Sequence, residues 1–317
     1  MKTAATSSAA RPERAAIDAV LVIDKPVGPT SFDVVKRIRW AAGARRVGHG
    51  GTLDPAASGV LPICLGEATK LAQFLLDADK QYDFSVCFGV ETDTDDAAGT
   101  VTARSDAGAI DEAGVRRALE PFRGAITQVP PIYSALKREG RPLYDYARAG
   151  EAVTIAPRAV VVHELELTAF AGPGAVAFTM RCSKGTYVRA LARDLGRALG
   201  VGAHVTALRR TRSGPFSLAE ARPLDEVLAV LADPGLDQAS LPLVGLAAAL
   251  RHLDHRVVTD SVARDARFGR RIDMGTLQGG DTTTDRRLCL LDSQGKLVAV
   301  AQPRPDQTLE LLRVFLP

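Results

Sequence analysis

KQYDFSVCFG (residues 80–89) alternates with a period of two: Tyr82, Phe84, Val86 and Phe88 fall on one face, Asp83, Ser85 and Cys87 on the other. That is the pattern of a strand with one buried face. VAFTMRC (176–182) repeats it through Val176, Phe178, Met180 and Cys182. Elsewhere the period changes. AVLVIDKPVGPTSFDVVKRIRW (19–40) reads as strand, turn and helix. Val20–Ile23 is the apolar run, Pro26, Gly28 and Pro29 make the turn, and Thr30 with Asp33 resembles a capping box. In TYVRALARDLGRALG (186–200), Val188, Leu191, Leu195 and Leu199 share one side of a helix, and Arg189, Arg193 and Arg197 form a stripe opposite. Strands and helices intermix without a regular strand–helix–strand beat, so the expected class is α+β.

The chain's 317 residues favour two domains. Residues 1–17 lack an apolar segment long enough for a leader and are expected to be a disordered tail. Residues 18–248 form the larger unit; within it, 222–248 reads as a linker or peripheral helices. After that, 256–272 reads as a short helix ending at Gly269, 286–302 as two strands around a Ser-Gln-Gly turn, and 309–317 as a closing strand. Residues 249–317 are therefore expected to be a small β-rich domain. Four cysteines, at 64, 87, 182 and 289, are too scattered for a disulfide framework or a zinc ribbon. Cys87 and Cys182 read as small core residues. His252 and His255 have HxxH spacing but no third ligand nearby, and read as non-metal. No apolar run reaches membrane-spanning length. A reducing cytoplasm is the expected compartment.

Net charge is only +3 and selects no partner, but its distribution is uneven. From Arg181 to Gly214 there are eight Lys/Arg and one acid, Asp194; from Lys36 to Arg46 there are five basic residues and no acid. A polyanion-binding face and an ordinary solvated surface both fit such runs. For Arg193 and Arg197 the wet face is the favoured reading. Arg189 lies in the first turn of its helix, where the dipole prefers an acid, so it needs another reason.

GHGGTLDPAASGVLPICLGEATK (48–70) surrounds one carboxylate, Asp54, with glycines. Glycine-rich loops usually cradle phosphate through backbone N–H groups, and an anion at the centre argues against that use. Gly50, Gly51 and Gly59 would let the loop approach a sugar closely. A carboxylate so placed, if buried, requires a cationic partner.

These stretches occur together and in order with LVIDKPVGPTS (21–31), QVPPIYSALKREGRPLYDYARAG (128–150) and CSKGTYVRALARDLGRALGVGAHVTALRRTRSGPF (182–216). Taken together they resemble the TruB family of tRNA pseudouridine(55) synthases over roughly residues 18–220. The C-terminal segment is similar, less closely, to the PUA-like domain that follows the catalytic domain in bacterial members. The resemblance implies a pseudouridine synthase fold, a mixed and mostly antiparallel sheet flanked by helices. It implies isomerisation of uridine 55 in the T arm of tRNA with no cofactor and no metal. Asp54 is the implied nucleophile, acting on C1′, on C6 or on a sugar proton; Arg189 is its cation, and Tyr82 is the aromatic against the uracil and a candidate acceptor of the C5 proton. Tyr187 and Leu208 match uracil-pocket positions. His49 matches the residue that fills the space left by the flipped base, and Lys25 a lysine near the site. Residues of about 124–152 look like a basic RNA-clamping insertion. Lys137, Arg138, Arg141 and Arg148 there, with Lys184, Arg209 and Arg210, are the expected RNA contacts. Asp96 is expected to pair with a basic residue of the insertion. The implied partner is tRNA, with no membrane and no protein partner, and the chain is expected to be a monomer. Two rivals remain: a carboxylate glycosidase, which an aromatic content of 5% and one Trp disfavour, and a non-catalytic RNA-binding relative, which would not need Asp54, Tyr82 and Arg189 together.

Overall fold

The computed structural model describes residues 17–233, 238–277 and 286–316. Apart from Ile17, the expected N-terminal tail lies outside the described residues. Eight strands build most of an 11-stranded sheet: β1 (Val20–Lys25), β2 (Val47–His49), β3 (Ala57–Leu65), β4 (Lys80–Phe88), β5 (Gly124–Gln128), β6 (Arg158–Phe170), β7 (Val176–Cys182) and β8 (Ala203–Ser213). Their order is β1-β3-β8-β4-β7-β6-β5, with β2 added on β3. Every neighbouring pair among them is antiparallel except β3 and β8, which run parallel. The expected α+β class with a mostly antiparallel sheet is what forms.

The helices are α1 (Ser31–Ala42), α2 (Ala72–Asp77), α3 (Glu112–Ala118), α4 (Leu143–Arg148), α5 (Val188–Ala198), α6 (Leu224–Ala232) and α7 (Asp260–Arg267). The capping box of α1 is present: Thr30 Oγ1 accepts from the Asp33 amide and Asp33 accepts from the Thr30 amide. One face of the sheet buries Leu21, Ile23, Leu61 and Ile63 against Val34 and Ile38 of α1 and Val227 and Leu231 of α6. Further along, Phe84, Phe178 and Met180 meet Leu191 and Leu195 of α5. The opposite faces of β1 and β3, Val20, Val22, Val60 and Cys64, join Cys289, Leu291, Val300 and Phe315 in one buried cluster. Burial on both faces explains why these two strands read as unbroken apolar runs while β4 alternates.

Residues 249–316 supply the second sheet, five strands in the order 254–257, 288–291, 297–303, 308–314 and 272–273. The expected helix, its end near Gly269 and the two strands about residues 292–296 all form. This sheet is joined to the larger unit by the shared cluster, by the Lys70 Nζ bond to the Val314 carbonyl (2.9 Å) and by the Arg287–Asp77 ion pair (2.6 Å).

Four expectations change. Of the linker or peripheral helices expected at 222–248, a helix forms, α6, but the described segments beside it are not a free linker: Arg222–Pro223 and Leu243–Val244 both pair with β1, on a sheet edge that local sequence does not signal. Residues 124–128 are the edge strand β5, so the projecting segment begins only after Gln128. Cys87 points to the half-exposed face of β4, whereas Cys182 is buried. Arg193 is not on a wet face, as its environment below shows. Among the described residues no helix is long and apolar enough to cross a membrane.

Candidate active site

Asp54 sits on the loop between β2 and β3, and three ties fix that loop. Ser31 Oγ, at the start of α1, accepts from the Leu53 amide (2.8 Å) and donates to the Leu53 carbonyl (3.1 Å). The Gly28 amide donates to the Pro55 carbonyl (2.8 Å). The Ala57 amide donates to the Asp54 carbonyl (3.0 Å), turning the chain into β3. The neighbouring glycine serves packing rather than access to a sugar. A Cβ on Gly59 would stand 2.2 Å from the Arg210 carbonyl oxygen, where β3 and β8 run side by side.

Arg189, 135 residues away in sequence, meets Asp54 from the first turn of α5, with its Nε and Nη2 each 2.9 Å from Asp54 Oδ2. Its side chain is 4% exposed and that of Asp54 35%. Nη1 donates to the Thr94 carbonyl (2.7 Å) and Nη2 to the Tyr133 carbonyl (2.9 Å), so the fork is used in full. Asp96, expected to pair with the insertion, instead stands 3.6 Å from Arg189 Nε. Its Oδ1 accepts from Thr94 Oγ1 (2.6 Å) and the Ala98 amide (3.0 Å). Arg193, one turn on, bonds Asp95 (3.1 Å) and Asp194 (2.9 Å), and its side chain is 12% exposed. The acidic run at 93–96 thus forms a cup for two arginines of α5, and these cations are spent inside the protein.

A pocket of about 310 Å³ opens over the Asp54–Arg189 pair, with Tyr82, Tyr187 and Leu208 in its wall. With Arg210, which also lines it, it gathers six of the expected site residues. Burial pushes the Tyr82 phenol above its usual range, while neighbouring Arg210 pulls it down. Burial likewise raises Tyr187. The backbone of Tyr187 is clamped by Gln128, whose Oε1 accepts from the Tyr187 amide (3.1 Å) and whose Nε2 donates to its carbonyl (3.3 Å). Gln128 replaces the missing side-chain cap of α5, and nothing local marks it for that role.

Two expected residues lie just outside the wall. His49 ends β2, and its Nδ1 accepts from the Gly51 amide (3.4 Å). Burial, then Arg210, hold its pKa below the usual imidazole range, so it is neutral at neutral pH. Lys25 is fully buried and donates to the carbonyls of Pro26 (2.8 Å) and Pro29 (2.9 Å), bracing the turn that holds the Asp54 loop. Burial lowers it from 10.5 to about 8, against the pull of Asp54. Between about pH 8 and 10.5 the unfolded chain then binds more protons at this lysine than the folded one, so its contribution to stability rises with pH. Relative to Lys25→Met, the wild-type melting temperature is expected to gain as pH is raised through this window; a constant difference would refute it.

The expected RNA contacts divide. Arg210 is 1% exposed and donates to the carbonyls of Val60 (2.8 Å), Thr52 (3.1 Å) and Gly51 (3.1 Å). It is therefore a wall of the pocket and cannot meet solvent-side phosphates. Arg209 pairs with Asp24 (2.7 Å) and Lys184 with Asp77 (2.7 Å), yet both remain partly exposed near the pocket. Beyond Gln128 the insertion carries a small hairpin at 137–142 and then α4. Arg138 donates to the Thr154 carbonyl, Arg141 pairs with Glu151 (3.0 Å), and Arg148 stacks over Tyr144 at 5.4 Å. Lys137 stays exposed. Lys80, absent from the expected set, also lines the pocket; its signal was its place two residues before Tyr82 on β4. His255 is bonded to the Leu250 carbonyl (3.2 Å), and among the described residues no three His, Cys, Asp or Glu side chains group as a metal site requires.

Comparison with known proteins agrees with this arrangement. Residues 39–188 match the TruB family pseudouridylate synthase N-terminal domain, and residues 189–257 the tRNA pseudouridylate synthase B C-terminal domain. The tRNA pseudouridine synthase B of Burkholderia pseudomallei (strain K96243) is 45% identical over 92% of this chain and 92% of its own length. That of Pseudomonas aeruginosa (strain UCBPP-PA14) is 49% identical over 72% of this chain and 76% of its own. Among solved structures, a chain of a Cbf5-Nop10-Gar1 complex is similar over 95% of this chain and 85% of its own, with a TM-score of 0.77 at 27% identity. A chain of an H/ACA RNP bound to a substrate RNA containing 2′-deoxyuridine covers 95% of this chain and 86% of its own, at 26% identity and a TM-score of 0.73. With its carboxylate–arginine pair at the floor of a two-tyrosine pocket and these relatives along nearly its whole length, the chain belongs to the TruB family of pseudouridylate synthases.

Proposed function

We propose that the protein isomerises uridine to pseudouridine at position 55 in the T arm of tRNA, with Asp54 as the group that acts on the sugar or base. The observation that carries this is the Asp54–Arg189 pair at 2.9 Å beneath a pocket walled by Tyr82, Tyr187 and Leu208. Arg189 pairs with a partly buried carboxylate and aims it; the aromatic and apolar wall accepts a planar base. The reaction breaks the N1–C1′ bond and makes C5–C1′ within one nucleotide, so no outside redox partner enters. A tRNA substrate fits an enzyme that works in the cytoplasm as a monomer. Incubation with an unmodified T-arm stem-loop, followed by mapping of pseudouridine, tests the assignment; an arm left unmodified by folded enzyme refutes it.

A uridine inside a folded T loop must be flipped out to reach Asp54, at a cost of a few kcal/mol. His49, neutral and half-buried at the mouth of the Asp54 loop, is assigned the vacated space. In full tRNA the T loop is braced by the D loop, so His49→Ala is expected to slow single turnover more on full tRNA than on the isolated arm. Equal slowing on the two substrates would remove the flipping role.

A further inference from the structure

The wall of the pocket carries three cations, Lys80, Arg189 and Arg210, and one carboxylate, Asp54. Arg189 is matched to Asp54. The other two are not matched. All described partners of Lys80 Nζ are backbone carbonyls, those of Leu75 (3.1 Å), Leu76 and Ala78 (2.5 Å each). Those of Arg210 are the carbonyls of Gly51, Thr52 and Val60, together with the Tyr82 phenol. Lys80 is 7% exposed and Arg210 1%. A buried charge without an opposite partner is costly, and carbonyl dipoles offset only part of that cost. Burial pushes the Lys80 ammonium from 10.5 down to about 8, which still leaves it charged at neutral pH. Asp77, Asp79 and the Cys182 thiol face Lys80, and Asp54 and the Tyr82 phenol face Arg210, and each offsets part of the charge. Asp77 and Asp79 are already paired with Lys184, Arg287 and Arg181, and Asp54 with Arg189, so the pocket keeps an excess of positive charge.

We infer that Lys80 and Arg210 form a fixed cationic wall that stabilises the negative charge the uracil acquires when its bond to the sugar is broken or its ring is attacked. The inference rests on the reading of this pocket as a uridine site, but not on the order of steps. If Asp54 attacks C1′, an ester bond forms as N1–C1′ breaks, and the bonding pair leaves on the base, spread over O2 and O4. If Asp54 removes a sugar proton, the sugar becomes an enol ether and the same pair leaves on the base. If Asp54 adds to C6, the C5–C6 π pair moves on to O4. In each case the base carries negative charge that is discharged as C5 bonds to C1′; the C5 proton is lost afterwards and N1 gains one, which completes the isomer. Cations already held in place by backbone carbonyls need not reorganise when that charge appears, and in a dry pocket they act at low dielectric. Carbonyl anchoring also keeps them from pairing with Asp54 and quenching it.

Arg210 braces the Asp54 loop as well as carrying charge, so Lys80 is the residue to vary. Lys80→Gln removes the charge and keeps donors for the carbonyls; Lys80→Arg keeps the charge. At saturating enzyme, Lys80→Gln is expected to slow single turnover by about tenfold or more with RNA affinity little changed, and Lys80→Arg to recover most of it. A merely structural role would show as equal losses in both. A second readout reports the potential directly. On an Asp54→Asn background, which blocks chemistry, T arms carrying uridine, 6-azauridine or an abasic site at the target are compared from about pH 6 to 8. 6-Azauridine is an isostere of uridine whose N3–H ionises near neutrality. Preference for the 6-azauridine arm over the uridine arm is expected to grow about threefold or more as pH rises, because the wall favours the anion, and to shrink in Lys80→Gln but not in Lys80→Arg. No growth with Lys80 present, or growth undiminished in Lys80→Gln, overturns the inference. Should Lys80→Gln fail to fold, the pH trend of the Asp54→Asn protein alone decides. Equal binding of all three arms would overturn the reading of the pocket as a base site and the inference with it.

Discussion

Asp54→Asn is expected to bind tRNA with nearly unchanged affinity and to form pseudouridine at least about 10⁴-fold more slowly, on full tRNA and on the isolated T arm alike. The substitution keeps shape and removes the anion. An amide oxygen can still accept from Arg189, and that arginine retains the Thr94 and Tyr133 carbonyls and Asp96. The loop keeps its ties through Ser31 and Gly28. Stability should therefore change little, and loss of product cannot be charged to unfolding. Neither a nucleophile at C1′ or C6 nor a base toward a sugar proton survives as an amide, so the result is the same on every chemical route. The equal loss on the two substrates separates this residue from His49, whose effect should depend on how tightly the T loop is braced. Single-turnover product formation at saturating enzyme, alongside thermal unfolding of the variant, checks both halves. Robust turnover by a folded Asp54→Asn protein would sink the catalytic assignment.

What sequence could say about this fold was largely local. The capping box of α1 is a signal four residues long, and the alternation in β4 and β7 follows from the pleat, so both were readable without knowing any partner. β1 and β3 were readable only as apolar runs, because covering on two faces erases the period. The edge pairing of Leu243–Val244 with β1 joins segments more than two hundred residues apart and carries no local mark. The same divide runs through the site. Asp54, Tyr82 and Arg189 were named from motifs, and their convergence is a matter of topology. The basic run 181–214 could be counted but not assigned: in the fold Arg189, Arg193, Arg209 and Lys184 each find an acid, and Arg210 is buried on carbonyls. Apart from Asp194, which shares Arg193 with Asp95, the acids that receive the first three come from residues 24, 54, 95 and 96, far from the run itself. An arginine on a wet face and one that holds the Asp54 loop have the same local spacing, and only the element opposite tells them apart.

Arg189→Gln is expected to damage both stability and chemistry, and the two can be told apart by Arg189→Lys. In the folded protein this guanidinium lies between Asp54 and Asp96 and bonds two carbonyls besides. Breaking a buried pair by deleting one partner costs about 3–5 kcal/mol, because the other charge stays buried. Asp54 is 35% exposed and can recover some hydration, so a smaller cost, about 2–3 kcal/mol, is the better expectation. For a protein of this size that corresponds to a melting temperature lower by about 3–5 °C. Gln cannot fill four directions at once, so the 93–96 cup loosens and two carboxylates face each other with no cation between them. Without the fork Asp54 is no longer aimed at the pocket, so activity should fall by about 10³-fold or more. Lys at this position restores a point charge without the fork, so it should recover most of the stability but little of the rate, since one ammonium cannot aim Asp54 and hold both carbonyls. Melting curves and single-turnover rates, on the wild type and both variants, read these effects separately. A Gln variant as stable as wild type, or a Lys variant as fast, would show that Arg189 neither holds the loop nor aims the carboxylate.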